Sequence, residues 1–353
     1  MSRFAVIKGK FHRVFFDEKL KSLKQFLRNG NYSSLIILTD SNTKRHCLPK
    51  LVDYCNLKTY HSLCLPAGEE FKTLDSAENL WEQLLPVSDR KSVLINLGGG
   101  MITDIGGFTA SVFKRGIDFI HVPTTLLSMI DASVGGKTGV DFANYKNQLG
   151  TFCQPKAVFI STEFLNSLPH DELVSGKAEM AKHAVLNGLE TWNEFVLNFN
   201  KTDSVKDQIE TAIRFKLKIT DKDLFDQGKR IQLNFGHTIG HALESFCLLT
   251  KKPIPHGFAV AAGMICELFI SCKYFKLSED FFNEQIIFLK NNFPKIIFNE
   301  TEIEEILSFV ASDKKNIGTK IKPVLLKRLG KPHMDKVVDL VTVKESLNYY
   351  RLL

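Results

Sequence analysis

Short apolar runs of strand length recur through the first half of this chain, and they stop near residue 162. The runs at 34–39 and 92–97 read as buried strands, and those at 117–122 and 157–161 are strand-like. Helical patterns separate them. Residues 17–28 carry Leu20, Leu23, Phe26 and Leu27 at helical spacing with Gly30 as a stop, and 74–85 form a second such pattern. Strands alternating with helices require crossover connections and hence a mostly parallel α/β sheet. Beyond residue 162 helical patterns take over, at 171–188, 205–222, 233–248, 259–275 and 279–292. The 353 residues therefore divide into an α/β domain, 1–162, and a helical domain, 163–353.

Composition narrows the function classes. With 44% hydrophobic and 24% charged residues the chain has the balance of a soluble globular protein. It contains no uncharged apolar run long enough to span a bilayer, and the apolar stretch near Met1 is too short for a signal peptide. Seven cysteines without a CxxC pair read as reduced thiols, so a cytoplasmic location is expected. The net charge of +7 is densest between Lys314 and Lys336. No aromatic platform or basic helix accompanies it, so a solvated face is favoured over nucleic-acid binding.

The run from Arg230 to Glu244 sets His237 and His241 four residues apart, on one face of a helix. Asn234 and Arg230 fall about one and two turns upstream on the same side. Such a polar stripe is costly to bury and suits a divalent metal with an anionic, hydroxylated ligand. Capping or core-satisfied histidines are the alternative. On 171–188, Glu179 and Lys182 share a face beside His183, which alone would read as a surface ion pair. Glu179, His237 and His256 nonetheless make one carboxylate and two imidazoles, the donor set of an open catalytic zinc site. His256 follows Pro253-Ile254-Pro255, a rigid turn able to aim a side chain.

In the α/β half, Gly98-Gly99-Gly100 leaves a buried strand and opens a helix that contains Asp104. This is either a tight turn or a seat for a pyrophosphate at a helix N-terminus. Asp40 ends the preceding strand, where an acid can meet a ribose. The stretch 66–72, with Glu69 and Lys72, is a turn with a surface ion pair or an adenosine contact. Thr124, Thr125, Asp131, Gly135, Gly136 and Lys137 crowd a short span, followed by Lys146 and Asn147, and this density favours a ligand site.

These segments, in this order, resemble the 3-dehydroquinate synthase family, cyclases of the shikimate pathway. The densest matches are 98–104, 114–116, 123–139, 146–147, 178–182, 230–244 and 256–257. The resemblance implies a Rossmann-like N-terminal domain, an all-α C-terminal domain and an active site in the cleft between them. It implies bound NAD, one divalent metal (zinc or cobalt) and a homodimer, with no nucleic-acid or membrane partner. Its metal ligands fall on Glu179, His237 and His256. Its NAD contacts fall on Asp40, Asn42, Glu69, Lys72, Gly99, Gly100, Asp104, Thr124, Thr125 and Asp131. Its substrate groups fall on Arg115, Lys137, Lys146, Asn147, Lys182, Lys216, Arg230, Asn234 and His241, with Lys137 and Lys146 also beside the cofactor. Lys314 or Lys315 would join them.

The implied reaction turns 3-deoxy-D-arabino-heptulosonate 7-phosphate into 3-dehydroquinate and phosphate. It runs through alcohol oxidation, phosphate β-elimination, ketone reduction, ring opening and an intramolecular aldol step, without net redox change. His241 is expected to move a proton near the metal. Thr103 replaces a common glycine and would make the pyrophosphate turn bulkier; Phe258 replaces a common acid; and 164–167 match loosely. Rival readings are another sugar-phosphate cyclase, a polyol or alcohol dehydrogenase, and a non-catalytic binding protein.

Overall fold

The computed structural model describes residues 5–11, 13–143, 145–312 and 321–353, so Lys314 and Lys315 lie outside the described residues. In chain order its strands are β1 (Ala5–Lys8), β2 (Arg13–Phe16), β3 (Leu35–Asp40), β4 (His61–Leu65), β5 (Val93–Gly98), β6 (Asp118–Pro123), β7 (Lys137–Phe142), β8 (Tyr145–Phe152) and β9 (Val158–Ile160). The helices before residue 200 are α1 (Lys21–Asn29), α2 (Ser41–His46), α3 (Leu48–Cys55), α4 (Leu74–Leu84), α5 (Gly100–Val112), α6 (His170–Asn187) and α7 (Leu189–Asn198). After it come α8 (Val205–Thr220), α9 (His237–Leu249), α10 (His256–Phe275), α11 (Asn283–Asn292), α12 (Ile303–Ser312) and α13 (Leu340–Leu352).

Two compact units result: Met1–Pro169 with Val205–Phe225, and His170–Ser204 with Asp226–Leu353. The division differs from the sequence reading in one respect. Helix α8, counted there with the helical half, packs on the turn Ser128–Ala132 of the first unit. Lys216 Nζ on α8 donates to Asp131 Oδ1 at 2.6 Å. Its amphipathic pattern says that one face is buried but not in which unit.

The first unit is built on a sheet of order β1-β2-β9-β6-β5-β3-β4, parallel except for the β1–β2 hairpin at its edge. Ile36, Leu38, Leu94, Ile102, Ile105 and Leu80 share one core, as the largely apolar runs require. From β3 the chain builds outward to β4 on one side and through β5 and β6 on the other. The boundary between β3 and β5 is thus a topological switch point, where the loops after the two strands diverge and open a crevice at their carboxyl ends. Asp40 ends β3 and Gly98 ends β5. Strands β7 and β8 form a separate antiparallel hairpin.

In the second unit α6, α9, α11 and α13 pack on α10. Among the described residues α10 is the helix long and apolar enough to cross a membrane, but 78% of its apolar window is buried inside the fold. Helices approach this closely only where side chains vanish. A Cβ on Gly263 would lie 1.9 Å from the Gly236 carbonyl oxygen, and one on Gly257 would lie 2.1 Å from that of Ser175. The second contact sets the start of α10 against α6, one turn before Glu179.

Helix α9 starts at His237, not at residue 233. Gly236 adopts a left-handed conformation (φ 80°) that breaks the preceding turn. Arg230 and Asn234 therefore sit on the 3-10 segment Lys229–Asn234, rather than on a continuous helical face with His237. Helix α10 starts at His256 rather than at 259. Replacing Gly263 with alanine should cost about 3 kcal/mol and lower the urea midpoint; an unchanged midpoint would contradict this close crossing.

Candidate functional site

Three helices of the second unit bring one carboxylate and three imidazoles together. Glu179, on α6, has a side chain only 1% exposed. Its Oε2 pairs with Nζ of Lys182, one turn along the same helix and equally buried. Its Oε1 faces His237 Nε2 at 3.4 Å and His256 Nε2 at 3.5 Å. Two ligands held about 2.1 Å from one ion at the tetrahedral angle lie about 3.4 Å apart. Both distances match that spacing, so Glu179 Oε1 can share a cation with either imidazole.

The far side of each ring fixes its tautomer. His237 Nδ1 donates to the Phe235 carbonyl at 3.1 Å, and His256 Nδ1 donates to Glu244 Oε2 at 3.1 Å. Both acceptors lack a proton to give, so Nδ1 carries the hydrogen and Nε2 is the nitrogen at which a cation could replace a proton. Burial, with help from the Lys182 cation, pushes His237 well below the usual imidazole range. For His256 burial also acts downward, but the Glu244 and Glu179 carboxylates outweigh it and lift the ring to about 9. His241 stands one turn beyond His237, its ring centroid 5.2 Å from that of His237 and 5.8 Å from that of His256. His237, His241 and His256 offer a second donor set, with atoms within 4.8 Å of one another. The two Glu179 contacts match the spacing of ligands on one tetrahedral ion.

Glu267 holds this arrangement from beneath. It is fully buried on α10 and accepts the backbone N–H of Gly236 at 2.7 Å and of Thr238 at 3.2 Å, on either side of His237. It thus serves as the cap that α9 lacks from its own N-cap residue. Arg230 is buried and Asn234 half-buried on the segment that packs against α6.

The first unit gathers the residues of its own half around strand ends. Gly99 is the N-cap of α5 and provides no side-chain cap, so the first amides of that helix can meet an anion. A Cβ there would come within 3.0 Å of Thr125 Cγ2. Thr103 is buried and donates its hydroxyl to the Gly100 carbonyl at 2.9 Å, which turns its bulk into the helix. Asp40 caps α2: its Oδ1 accepts the Thr43 N–H at 2.8 Å, so one carboxylate oxygen has a structural task. Thr124 is buried just past β6, and Thr125 Oγ1 accepts the Ser128 N–H at 3.1 Å. Asn42, Glu69 and Arg115 are exposed.

Lys72 is the hub of this half. It is 3% exposed, and its Nζ meets Glu69 Oε1 at 2.6 Å, Asn147 Oδ1 at 3.0 Å and Asp104 Oδ2 at 3.5 Å. Asp141 Oδ1, 3.7 Å from the same Nζ, accepts the Asn147 N–H at 2.7 Å. The exposed Lys137, Lys146 and Asn147 ride on the β7–β8 hairpin that this cluster anchors. Glu244, Glu267 and Asp141 received no role from the sequence. Their signals were present: Glu244 follows His237 by seven residues on one helix face, and Glu267 is a lone acid in an apolar helix.

The family description for the N-terminal part of 3-dehydroquinate synthase matches residues 62–175, and that for its C-terminal part matches 176–316. The 3-dehydroquinate synthase of Parabacteroides distasonis is 39% identical over 347 residues, covering 96% of this chain and 98% of that protein. A 2-deoxy-scyllo-inosose synthase, solved with carbaglucose-6-phosphate, NAD+ and Co2+, superposes with a TM-score of 0.85 at 24% identity and 99% coverage of both chains. A 2-epi-5-epi-valiolone synthase from Streptomyces hygroscopicus, with NAD+ and Zn2+ bound, gives 0.83 at 22% identity and 99% coverage of both. At that identity the two structural likenesses establish the fold.

Burial raises the Asp104 carboxyl to about 6 against the opposing pull of Lys72. A folded-state value above the unfolded one means that the fold binds this proton more tightly, so stability falls as pH rises from about 4 to about 6. With 22% of the side chain exposed, the effect is discounted to roughly 1–2 kcal/mol. Asp104→Asn should remove that drift, measured as urea midpoints across the window; parallel profiles for the two proteins would contradict it.

Proposed function

The chain belongs to the 3-dehydroquinate synthase family, and on that premise we propose that it converts 3-deoxy-D-arabino-heptulosonate 7-phosphate into 3-dehydroquinate and phosphate. The observation that carries this reading is the convergence of Glu179 Oε1 on the Nε2 atoms of His237 and His256, at 3.4 and 3.5 Å. We assign these three as ligands of a zinc or cobalt ion; three protein ligands are the pattern of an open, catalytic site. Held by Glu179, His237 and His256, the metal would supply Lewis-acid activation of a substrate hydroxyl, and NAD at the α5 N-terminus would supply reversible hydride acceptance.

The chain's own residues bind, orient and move protons. Lys182 pairs with the second Glu179 oxygen. Gly99 and Gly100 seat the cofactor's pyrophosphate on the α5 N-terminus, with Asp40, Asn42, Glu69, Lys72, Asp104, Thr124, Thr125 and Asp131 around the rest of it. Arg115, Lys137, Lys146, Asn147 and Lys216 serve the substrate's phosphate and carboxylate, whose two negative charges match the cationic side chains. Arg230 and Asn234 read its oxygens. His241, on the same face of α9 as His237, transfers the proton. Family membership further suggests a cytoplasmic homodimer.

Incubation with the heptulosonate phosphate and catalytic NAD should release phosphate without accumulation of NADH, and a chelator should stop it. Absence of release by the metal-loaded protein would contradict the assignment. His241→Ala should lower turnover at least about 100-fold with zinc content retained; loss of the zinc would remove the role given to His241.

A further inference from the structure

We propose that Glu244 is a positioning residue for the metal site, fixing the His256 ring so that Nε2 faces Glu179 and His237. The inference rests on the metal reading above and concerns a residue of the 230–244 motif to which no task had been assigned. His256 is the first residue of α10, and its side chain is 30% exposed, against 11% for His237. Pro255 restrains the backbone ahead of it but leaves the ring free to turn about its own torsions. The His237 ring is held by the carbonyl of a near neighbour in the chain. The His256 ring is held by a side chain from a different helix.

Glu244 reaches it because of two spacings. It stands seven residues after His237, on the same face of α9, and α9 packs along α10. From there its Oε2 lies 3.1 Å from His256 Nδ1, with only 8% of the side chain exposed. An ionised carboxylate only accepts, so it selects the Nδ1–H tautomer and leaves Nε2 for a cation. A contribution to stability alone is a weak reason to bury such a pair, because desolvation offsets most of the attraction. Orientation of a ligand ring is a better one.

The test uses the full chain stripped of metal. Zinc affinity is read by competition with a chromophoric chelator, and Co2+ titration is followed through its visible absorption bands. Glu244→Gln keeps the size and one acceptor. It should weaken zinc about 10-fold and shift the cobalt bands, while Glu244→Ala should weaken zinc towards 100-fold. Should the alanine variant fail to fold, the glutamine variant decides alone. Zinc affinity of Glu244→Gln within about twofold of the parent, with unmoved bands, would overturn the role of Glu244 and leave the metal reading intact. A parent protein that takes up no stoichiometric cobalt would overturn both.

Discussion

A carboxylate cut off from water costs several kcal/mol unless its charge is met, and Glu179 is such a group. Its two oxygens are divided, one to the Lys182 ammonium on its own helix and one to the imidazoles of His237 and His256. The packing of α6, α9 and α10 meets this need. The imidazoles reach Glu179 only because Gly257 lets the start of α10 touch the backbone of α6, and Gly263 lets α10 touch the turn before α9. Glu267 then ties down the backbone on both sides of His237. Each device is cheap by itself, and together they bring both imidazoles within 3.5 Å of one Glu179 oxygen.

The two units offer different kinds of binding group. In the first, the important groups are backbone amides and strand ends, placed by sheet topology: the switch between β3 and β5 opens beside Asp40 and Gly99. Side chains there, such as Lys72 with its three acids, mostly anchor neighbouring segments. In the second unit the important groups are side chains on helices; a backbone carbonyl holds the His237 ring and the Glu244 carboxylate that of His256. A flexible, doubly charged substrate suits cationic side chains; a pyrophosphate suits a helix N-terminus.

Much of this was legible in the sequence. The short, largely apolar runs identified β3, β5, β6 and β9, because strands buried on both faces carry few polar residues. The spacing of His237 and His241 marked α9. What escaped has physical reasons. Strand β4 shows the core only Leu63 and Leu65, and β7 is interrupted by glycine and polar residues that serve the hairpin rather than the core. The break at Gly236 lay hidden in a run whose polar residues fit a helical period. Glu244 and Glu267 were visible as acids, but their partners are set by which helices touch. One sequence without its contacts does not contain that information.

The central claim is that Glu179, rather than His241, completes the metal site with His237 and His256. Anomalous diffraction at the zinc edge, on crystals grown with zinc, addresses it directly. The account predicts one strong peak about 2.0–2.2 Å from Glu179 Oε1 and from Nε2 of both His237 and His256. A peak ligated by His237, His241 and His256, with Glu179 left to Lys182 alone, would contradict it.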